Sequence, residues 1–315
     1  MGLAERIIKG DARAAARLIS LLENGDSGAA PDMDALFPHT GKAAIIGITG
    51  APGTGKSSLA GALVRELRKQ QKTVGVIAVD PSSAISGGAM LGDRVRMQEH
   101  STDPGVFIRS LATRGWAGGL SRAALGAAQV LDALGKEYVM IETVGAGQVE
   151  IDIAAAADTT LVVLNPGAGD DIQTLKAGIM EQADIFVINK ADRDGASGLK
   201  ADLEAAAAGQ NGRKTPVVLT VATGGKGITG LVREMEKHRD YLVATGRLAD
   251  RKKQRLRLEL LETLEAAWRD ALGRSINGTL FRELLGEVVS GAATPRKAAA
   301  DIIAELADNL KLRRD

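Results

Sequence analysis

The chain has 315 residues, of which 45% are hydrophobic, 25% charged and 3% aromatic. This length allows one α/β domain of about 200 residues with appended segments, or two domains. The formal net charge is only +1, so no overall field attracts nucleic acid or an anionic membrane, and neither partner is expected. Cysteine is absent, which excludes disulfides, thiolate metal ligands and a cysteine nucleophile and suits the reducing cytoplasm.

Residues 1–40 are predicted to be an N-terminal helical segment. Residues 7–22 place aliphatic side chains on one face of an amphipathic helix, and Asn24-Gly25 ends the pattern. Charged residues recur from Glu5 to Arg17. The segment therefore lacks the continuous apolar run of a signal peptide or a membrane span.

From residue 41 the pattern changes to short apolar runs bounded by Gly, Asp and Pro, which predict buried strands. The predicted strands are Ala43–Thr49, Thr73–Val79, Val106–Ser110, Tyr138–Ile141, Thr160–Leu164, Ile185–Ile188 and Pro216–Val221. Helical patterns lie between several of them, over Ser57–Gln70, Leu120–Leu134 and Leu199–Ala208. This alternation favours an α/β domain over residues 41–246, with a mostly parallel sheet covered by helices on both faces.

Residues 247–315 are predicted to be a C-terminal helical segment. Helical patterns after Lys226 cover Ile228–Leu242, Leu248–Leu272, Thr279–Val289 and Thr294–Leu312. The last three are too small to enclose a core alone, so their apolar stripes must pack on the α/β domain or on another chain. The stripes contain Leu260, Leu261, Leu264, Trp268, Leu272, Ile302, Ile303, Leu306 and Leu310.

Basic residues gather near the start of the Leu248–Leu272 pattern, at positions 247, 251, 252, 253, 255 and 257. No aromatic residue lies among them, and Glu259 stands four residues after Arg255. We interpret this cluster as a solvated helix face with i,i+4 ion pairs rather than as a nucleic-acid site.

The strongest motif is Gly50-Ala-Pro-Gly-Thr-Gly-Lys56-Ser57, which fits G-x-x-x-x-G-K-[ST] directly after a predicted strand and before a predicted helix. Its glycines let backbone N–H groups turn toward phosphates, Lys56 suits the β- and γ-phosphate oxygens, and the Ser57 hydroxyl is a ligand for Mg²⁺. The predicted phosphate-binding residues are Gly50, Ala51, Pro52, Gly53, Thr54, Gly55, Lys56, Ser57 and Ser58. The sequence therefore predicts a P-loop nucleotide hydrolase.

A second motif, Asn189-Lys190-Ala191-Asp192, follows the Ile185–Ile188 strand and has the N-K-x-D pattern that reads guanine. Guanine presents N1–H and N2–H₂ donors side by side, which the Asp192 carboxylate accepts, whereas adenine would face it with an acceptor. Asn189 is expected to tie the loop together, and the aliphatic stem of Lys190 to lie against the base. The two motifs together predict binding of GTP and GDP.

A third element, Glu142-Thr-Val-Gly145, follows a predicted strand and is a variant of D-x-x-G with glutamate in place of aspartate. The Glu142 carboxylate is expected to face the Mg²⁺ shell and the Gly145 N–H to reach the γ-phosphate. Asp80 and Asp93 are two more candidate carboxylates for Mg²⁺, and either could instead be a helix cap or a solvated charge.

No glutamine directly follows Gly145, since Ala146 does and Gln148 comes later. Hydrolysis by the chain alone should therefore be slow unless Gln148 or a partner orients the attacking water. The predicted catalytic residues are Lys56, Glu142 and Gln148. Isolated arginines are possible charge stabilisers but are more often surface residues, and none receives a catalytic role: Arg94, Arg96, Arg109 and Arg114.

These motifs, with Val79-Asp-Pro-Ser-Ser83, the glycine-rich Gly87–Arg94 and Gly167-Ala-Gly-Asp-Asp-Ile-Gln173, resemble the MeaB/ArgK-type G proteins, chaperones of adenosylcobalamin-dependent methylmalonyl-CoA mutase. The resemblance covers nearly the whole chain, and the Glu-Thr-Val-Gly element separates this family from Ras-like GTPases. One departure is Val221-Ala222 in the last base-contacting loop, where the family usually has Ser-Ala.

The resemblance implies a fold of the signal-recognition and nickel-insertion class and a homodimer joined through the C-terminal helices. It also implies Mg²⁺ contacts from Ser57, Asp80, Asp93 and Glu142, and base contacts near Val221 and Ala222. Segments around Asp80–Asp93, Glu142–Gln148 and Asn165–Lys176 would be nucleotide-sensitive switches.

The implied function is a GTP-driven chaperone that gates cofactor delivery to, and protection of, a cobalamin-dependent acyl-CoA mutase such as methylmalonyl-CoA mutase. Two alternatives stay open, a P-loop kinase of the amino-acid-transport type and a GTPase that inserts a metal. Metal insertion would predict clustered histidine or cysteine, whereas His39, His100 and His238 are scattered.

Overall fold

The computed structural model describes residues 1–80, 100, 102–112, 122–143, 149–167, 182–206, 214–276 and 278–311. The chain forms two compact units, Met1–Leu256 and Arg257–Asp315. The boundary between them falls inside the predicted C-terminal segment 247–315.

The first unit is built on a parallel sheet of seven strands in the order β3-β2-β4-β1-β5-β6-β7. The strands are β1 (Ala44–Thr49), β2 (Val74–Asp80), β3 (Val106–Ala112), β4 (Tyr138–Thr143), β5 (Thr159–Leu164), β6 (Ile185–Ile188) and β7 (Val217–Leu219). All the predicted strands are present, with shifts of one or two residues at their ends. β7 is shorter than predicted because Val221 leaves the ladder and pairs with Lys226 in an isolated bridge.

Among the described residues, the helices of this unit before the long C-terminal helix are α1 (Leu3–Ile8), α2 (Ala12–Glu23), α3 (Ala30–Leu36), α4 (Lys56–Lys69), α5 (Arg122–Ala133), α6 (Val149–Ala156), α7 (Ala196–Ala206) and α8 (Ile228–Ala244). Helices α4 and α8 pack on one face of the sheet, against the alternate strand residues Ile46, Ile48 and Val163. Helix α7 packs on the other face, against Val162, Leu164 and Phe186. Both faces are therefore covered, and β1, β4, β5 and β6 are buried along their whole length as parallel strands require.

The N-terminal helix predicted over residues 7–22 is wrong in one respect, because the structure divides this region into α1 and α2. Gly10 has φ +89°, a left-handed conformation that stops α1. Asp11 then caps α2, its side chain accepting from the N–H groups of Arg13 and Ala14. Such a short break does not disturb the apolar periodicity, so the pattern does not reveal it.

Arg109 on β3 is a structural residue rather than a surface one. Its Nη2 donates to Ser20 Oγ at 3.0 Å and to Glu23 Oε2 at 2.9 Å, both on α2. The ion pair joins the N-terminal helices to the β3 side of the sheet, and α2 also packs on α5, where Leu22 lies against Gly126.

The interpretation of the basic cluster as a solvated face is wrong for Arg251, Lys252 and Arg255. These residues lie on α9 (Arg247–Ile276) and bind the α/β unit instead. Arg251 donates to Asp184 at 2.7 Å, Arg255 to Asp158 at 2.8 Å and Lys252 to the Gly41 carbonyl at 2.6 Å. Spacing along one helix cannot reveal acceptors that lie far away in the sequence.

The second unit contains the later turns of α9 with α10 (Thr279–Ser290) and α11 (Pro295–Lys311). Thr294 caps α11, accepting from Lys297 N at 3.2 Å, and Pro295 occupies the first position of the helix. Several large apolar side chains of this unit are exposed, including Leu260 at 60%, Leu264 at 56% and Val289 at 80%.

Asp132 joins helix α5 to the segment that leads into β1. It lies in the last turn of α5, where the helix dipole disfavours a carboxylate, yet it accepts from the N–H groups of Gly41, Lys42 and Ala43 at the start of β1. Asp132→Ala should lower the free energy of unfolding by about 1–3 kcal/mol, because it leaves the buried N–H of Ala43 unpaired and removes the bonds to the more exposed N–H groups of Gly41 and Lys42. Urea denaturation measures this, with the exposed Asp34→Ala as control. Equal losses in both variants would contradict the assignment.

Candidate guanine nucleotide site

The predicted motifs meet at the carboxyl edge of the sheet. The phosphate loop follows β1, Glu142 lies near the end of β4, Asn189 follows β6 directly, and Val221 follows β7. Because every pairing in the sheet is parallel, these strand ends share one edge. The strand order places β1 between β4 and β5, so the glycine loop is central.

The phosphate loop depends on glycine at two positions in particular. Gly50 has φ +137°, and a side-chain carbon there would lie 2.1 Å from the carbonyl oxygen of Val163 on β5. Gly55 has φ +91°, and a side-chain carbon there would lie 2.4 Å from Nδ2 of Asn189. Neither position can hold another residue without moving buried backbone or the Asn189 amide.

Lys56 begins α4 and turns back over its own loop. Its Nζ donates to the carbonyl of Gly50 at 2.6 Å and to that of Ala51 at 3.0 Å, and the side chain is almost fully buried. A buried ammonium requires such acceptors. The positive charge is therefore held inside the loop that precedes the positive end of the α4 dipole, an arrangement that favours phosphate.

Ser57 and Glu142 join the phosphate loop to β4. The Ser57 hydroxyl donates to Glu142 Oε1 at 2.6 Å, and both residues are buried. A hydroxyl and a carboxylate oxygen at this spacing fit Mg²⁺, which typically takes one or two protein oxygens and completes its shell with water and phosphates. Within the described ranges, no three carboxylate, histidine or cysteine side chains gather as a metal cage of their own.

Four of the predicted site residues, Asp80, Asp93, Gly145 and Gln148, lie partly or wholly outside the described residues. The backbone of Asp80 ends β2, and its neighbours Ala78 and Val79 pair with Glu142 and Thr143, so Asp80 stands at the same edge. Nothing is described for its side chain. Asp93, Gly145 and Gln148 lie outside the described residues, as do parts of all three segments predicted as switches.

Asn189 connects the base loop with the phosphate loop. Its Nδ2 donates to the carbonyl of Thr54 at 2.9 Å, and its Oδ1 accepts from Ala222 N at 3.1 Å and from the Thr220 hydroxyl at 3.3 Å. The residue is 2% exposed, so each contact is made away from water. One amide thus joins the loops that follow β1, β6 and β7.

Lys190 and Asp192 complete the base loop. Lys190 has φ +55°, an uncommon conformation for a residue with a side chain, and its Nζ donates to the Gly53 carbonyl at 2.6 Å. This contact extends its aliphatic stem beside the phosphate loop. Asp192 is exposed, so its carboxylate can be approached by a base.

Sequence reasoning missed the acceptors and donors supplied by the backbone and by Thr220. The carbonyls of Gly53 and Thr54 receive the Lys190 and Asn189 side chains, and Thr220 lies next to the predicted Val221-Ala222 pair. A hydroxyl that ends a buried strand is the only sequence signal for Thr220. It is too common in proteins to single out the residue.

Comparison with known proteins places this geometry in a family. Residues 15–273 match the family described as methylmalonyl Co-A mutase-associated GTPase MeaB. The chain belongs to the MeaB family. A putative GTPase of Pyrococcus abyssi is 48% identical over 310 residues, which are 96% of each chain.

Two further relatives define the breadth of the MeaB match. The mouse protein named methylmalonic aciduria type A homolog, mitochondrial, is 33% identical over 265 residues, covering 81% of this chain and 63% of that protein. A crystal structure described as LAO/AO transport system kinase has a TM-score of 0.68 at 24% identity, covering 98% of this chain and 96% of that one. At that identity the second likeness shows the fold alone. The predicted family and the predicted fold are thus both confirmed.

Proposed function

We propose that this MeaB-family protein binds GTP with Mg²⁺, hydrolyses it to GDP and phosphate, and acts as a chaperone that gates cofactor loading and protection of a cobalamin-dependent acyl-CoA mutase. The observation that carries the nucleotide assignment is the hydrogen bonding of the Asn189-Lys190 loop to the carbonyls of Gly53 and Thr54. It ties a loop of the guanine-reading pattern to a phosphate loop. The family description, which names a mutase-associated GTPase, supports the choice of client.

Recognition of guanine is assigned to Asp192. Its exposed carboxylate accepts from N1–H and N2–H₂ of the base, while the Lys190 stem, held by Gly53, covers the base plane. Ala222 already donates its N–H to Asn189, so this loop is held in place by the same amide. The valine at position 221 has no hydroxyl to offer the base.

Phosphate binding and turnover are assigned to Lys56, Ser57, Glu142 and Gln148. Ser57 and Glu142 would hold Mg²⁺, with Asp80 and Asp93 in its shell, and bound Mg²⁺ would neutralise charge on the phosphate oxygens. Lys56 places its ammonium against the β- and γ-phosphates by exchanging the carbonyls of Gly50 and Ala51 for phosphate oxygens. Gly145 donates to the γ-phosphate, and Gln148 or a client orients the water.

The proposed setting is the cytoplasm, with no nucleic acid or membrane partner. No described helix is long and apolar enough to span a bilayer. A kinase of the transport type would pass the γ-phosphoryl group to an acceptor, whereas the proposed switch passes it to water. Radiolabelled GTP distinguishes the two, since released phosphate supports the switch and a labelled acceptor supports the kinase.

The assignment of Asp192 predicts a change of base preference. The parent should bind GDP at least about 100 times more tightly than ADP, because adenine leaves the Asp192 carboxylate unpaired. Asp192→Asn should weaken GDP and favour xanthosine diphosphate, whose 2-carbonyl accepts from the new amide. Calorimetric titration measures both, and Asp194→Asn, an exposed residue in the same turn, should leave GDP affinity unchanged. Equal affinity of the parent for GDP and ADP would overturn the assignment.

The client assignment predicts coupled turnover. With no glutamine directly after Gly145, the protein alone should hydrolyse GTP slowly, and the host's own cobalamin-dependent mutase should accelerate it. If the mutase prefers the GTP-bound form, GTP must bind more tightly to the complex than to the free protein. Phosphate release and GTP affinity are measured with and without the mutase. A mutase that neither binds nor alters turnover would remove the chaperone role and leave the GTPase role standing.

The exposed leucines of the second unit support a homodimer. Leu260, Leu261 and Leu264 lie on adjacent turns of α9, and an apolar strip of this kind is typical of a surface covered by a second copy. Light scattering should give twice the chain mass at micromolar concentration. Leu264→Glu should reduce it to the monomer mass, while Lys253→Glu, an exposed site earlier on α9, should not. A parent that is monomeric under these conditions would contradict the dimer.

A further inference from the structure

Helix α6 is the element that follows residues 144–148, and it is seated tightly on β1. A side-chain carbon at Gly47 would lie 3.1 Å from both Ile153 Cγ1 and Ala157 Cβ. There is consequently no space for a side chain between the helix and the strand. Ile153 and Ala156 are completely buried, so the position of α6 is set by packing along this contact.

The turn after α6 is fastened to β1 by two backbone contacts of Asp158. Its N–H donates to the carbonyl of Ile45 at 2.8 Å, and its Oδ2 accepts from the N–H of Ile45 at 2.9 Å. Asp158 directly precedes β5, and β5 lies beside β1 in the sheet. The carboxylate is 4% exposed and therefore needs a cation close by.

Arg255 of α9 supplies that cation and also contacts α6 itself. Its Nη1 donates to Asp158 Oδ1 at 2.8 Å and to the carbonyl of Ala156, the last residue of α6, at 3.2 Å. A positive charge at the carboxyl end of a helix is favoured by the helix dipole. The side chains of Arg255 and Asp158 are 16% and 6% exposed, so solvent screens this pair little.

We infer that Arg255 is a positioning residue for GTP hydrolysis. Helix α6 has eight residues, so holding its carboxyl end against Asp158 also limits the movement of Val149 at its start. Val149 follows the Glu142–Gln148 element directly in the chain. This inference rests on the proposed function, which assigns that element to the γ-phosphate.

The geometry separates Arg255 from the groups that hold GDP. The phosphate loop and the base loop are joined through Asn189 and Lys190, and neither makes a described contact with Arg255. Loss of Arg255 should therefore impair turnover of the triphosphate more than affinity for the diphosphate.

Arg251 provides a matched control. It lies one turn earlier on α9 and pairs with Asp184 at 2.7 Å, with side chains 25% and 11% exposed. Asp184 precedes β6 and accepts from the N–H of Thr160, so Arg251→Ala also removes an ion pair at this edge of the sheet. Its described contact is with Asp184, not with α6.

The experiment compares Arg255→Ala, Arg251→Ala and Arg255→Lys in the full chain. We expect Arg255→Ala to lower kcat for GTP about tenfold while GDP affinity stays within about twofold of the parent. Arg255→Lys should restore most of kcat, since one nitrogen makes both contacts of Arg255. Arg251→Ala should keep the parental kcat. Equal loss in the two alanine variants, or equal loss of kcat and GDP affinity, would overturn the inference.

Hydrogen exchange gives a readout that does not depend on GTPase activity. In nucleotide-free protein, the amides of 149–156 should exchange faster in Arg255→Ala than in Arg251→Ala, and at the parental rate in Arg255→Lys. Unchanged exchange in Arg255→Ala would overturn the inference whatever the kinetics show. If the parent hydrolyses no GTP but the variants differ in exchange as expected, the proposed function fails and the positioning of α6 by Arg255 stands.

Discussion

The side-chain amide of Asn189 is the contact on which the arrangement of the nucleotide site depends. From the loop that follows β6, it hydrogen-bonds to Thr54 in the loop after β1 and to Thr220 and Ala222 after β7. The close approach of its Nδ2 also explains why Gly55 can carry no side chain. The base loop and the phosphate loop therefore cannot be positioned independently. Because the amide is buried and hydrogen-bonded through both its nitrogen and its oxygen, it specifies one relative placement of the loops.

The two edges of the sheet use polar residues differently. At the carboxyl edge, the side chains of Lys56, Asn189 and Lys190 donate to carbonyls of the phosphate loop. At the amino edge, Asp132, Asp158 and Asp184 accept from backbone N–H groups near strand starts. Asp158 and Asp184 are also paired with arginines of α9. The buried carboxylates at this edge thus fasten helices to the sheet, and the residues suited to phosphate chemistry stand at the other edge.

Helix α9 contributes residues to both compact units. Its first turns bind the amino edge through Arg251, Lys252 and Arg255, and its later turns, from Arg257 onward, belong to the second compact unit. Part of the basic cluster at the start of α9 therefore has a structural role, since Arg251, Lys252 and Arg255 bind acceptors of the first unit.

The succession of strands and helices along the chain, the P-loop fold and the family can all be predicted from the sequence, because these depend on local periodicity and on contiguous motifs. The Gly50–Ser57 run and the Asn189–Asp192 run each carry their chemistry within a few residues. The structure was needed to find the partners of Arg109, Arg251 and Arg255, the break between α1 and α2, and the hydrogen bond of Thr220 to Asn189. The arginine and Asn189 contacts join residues distant in the chain, and the helix break depends on a single backbone conformation. The distant contacts leave no periodic pattern in the sequence, because they depend on how the sheet brings its strands and loops together. The helix break leaves none because it is too short to change the spacing of the apolar residues.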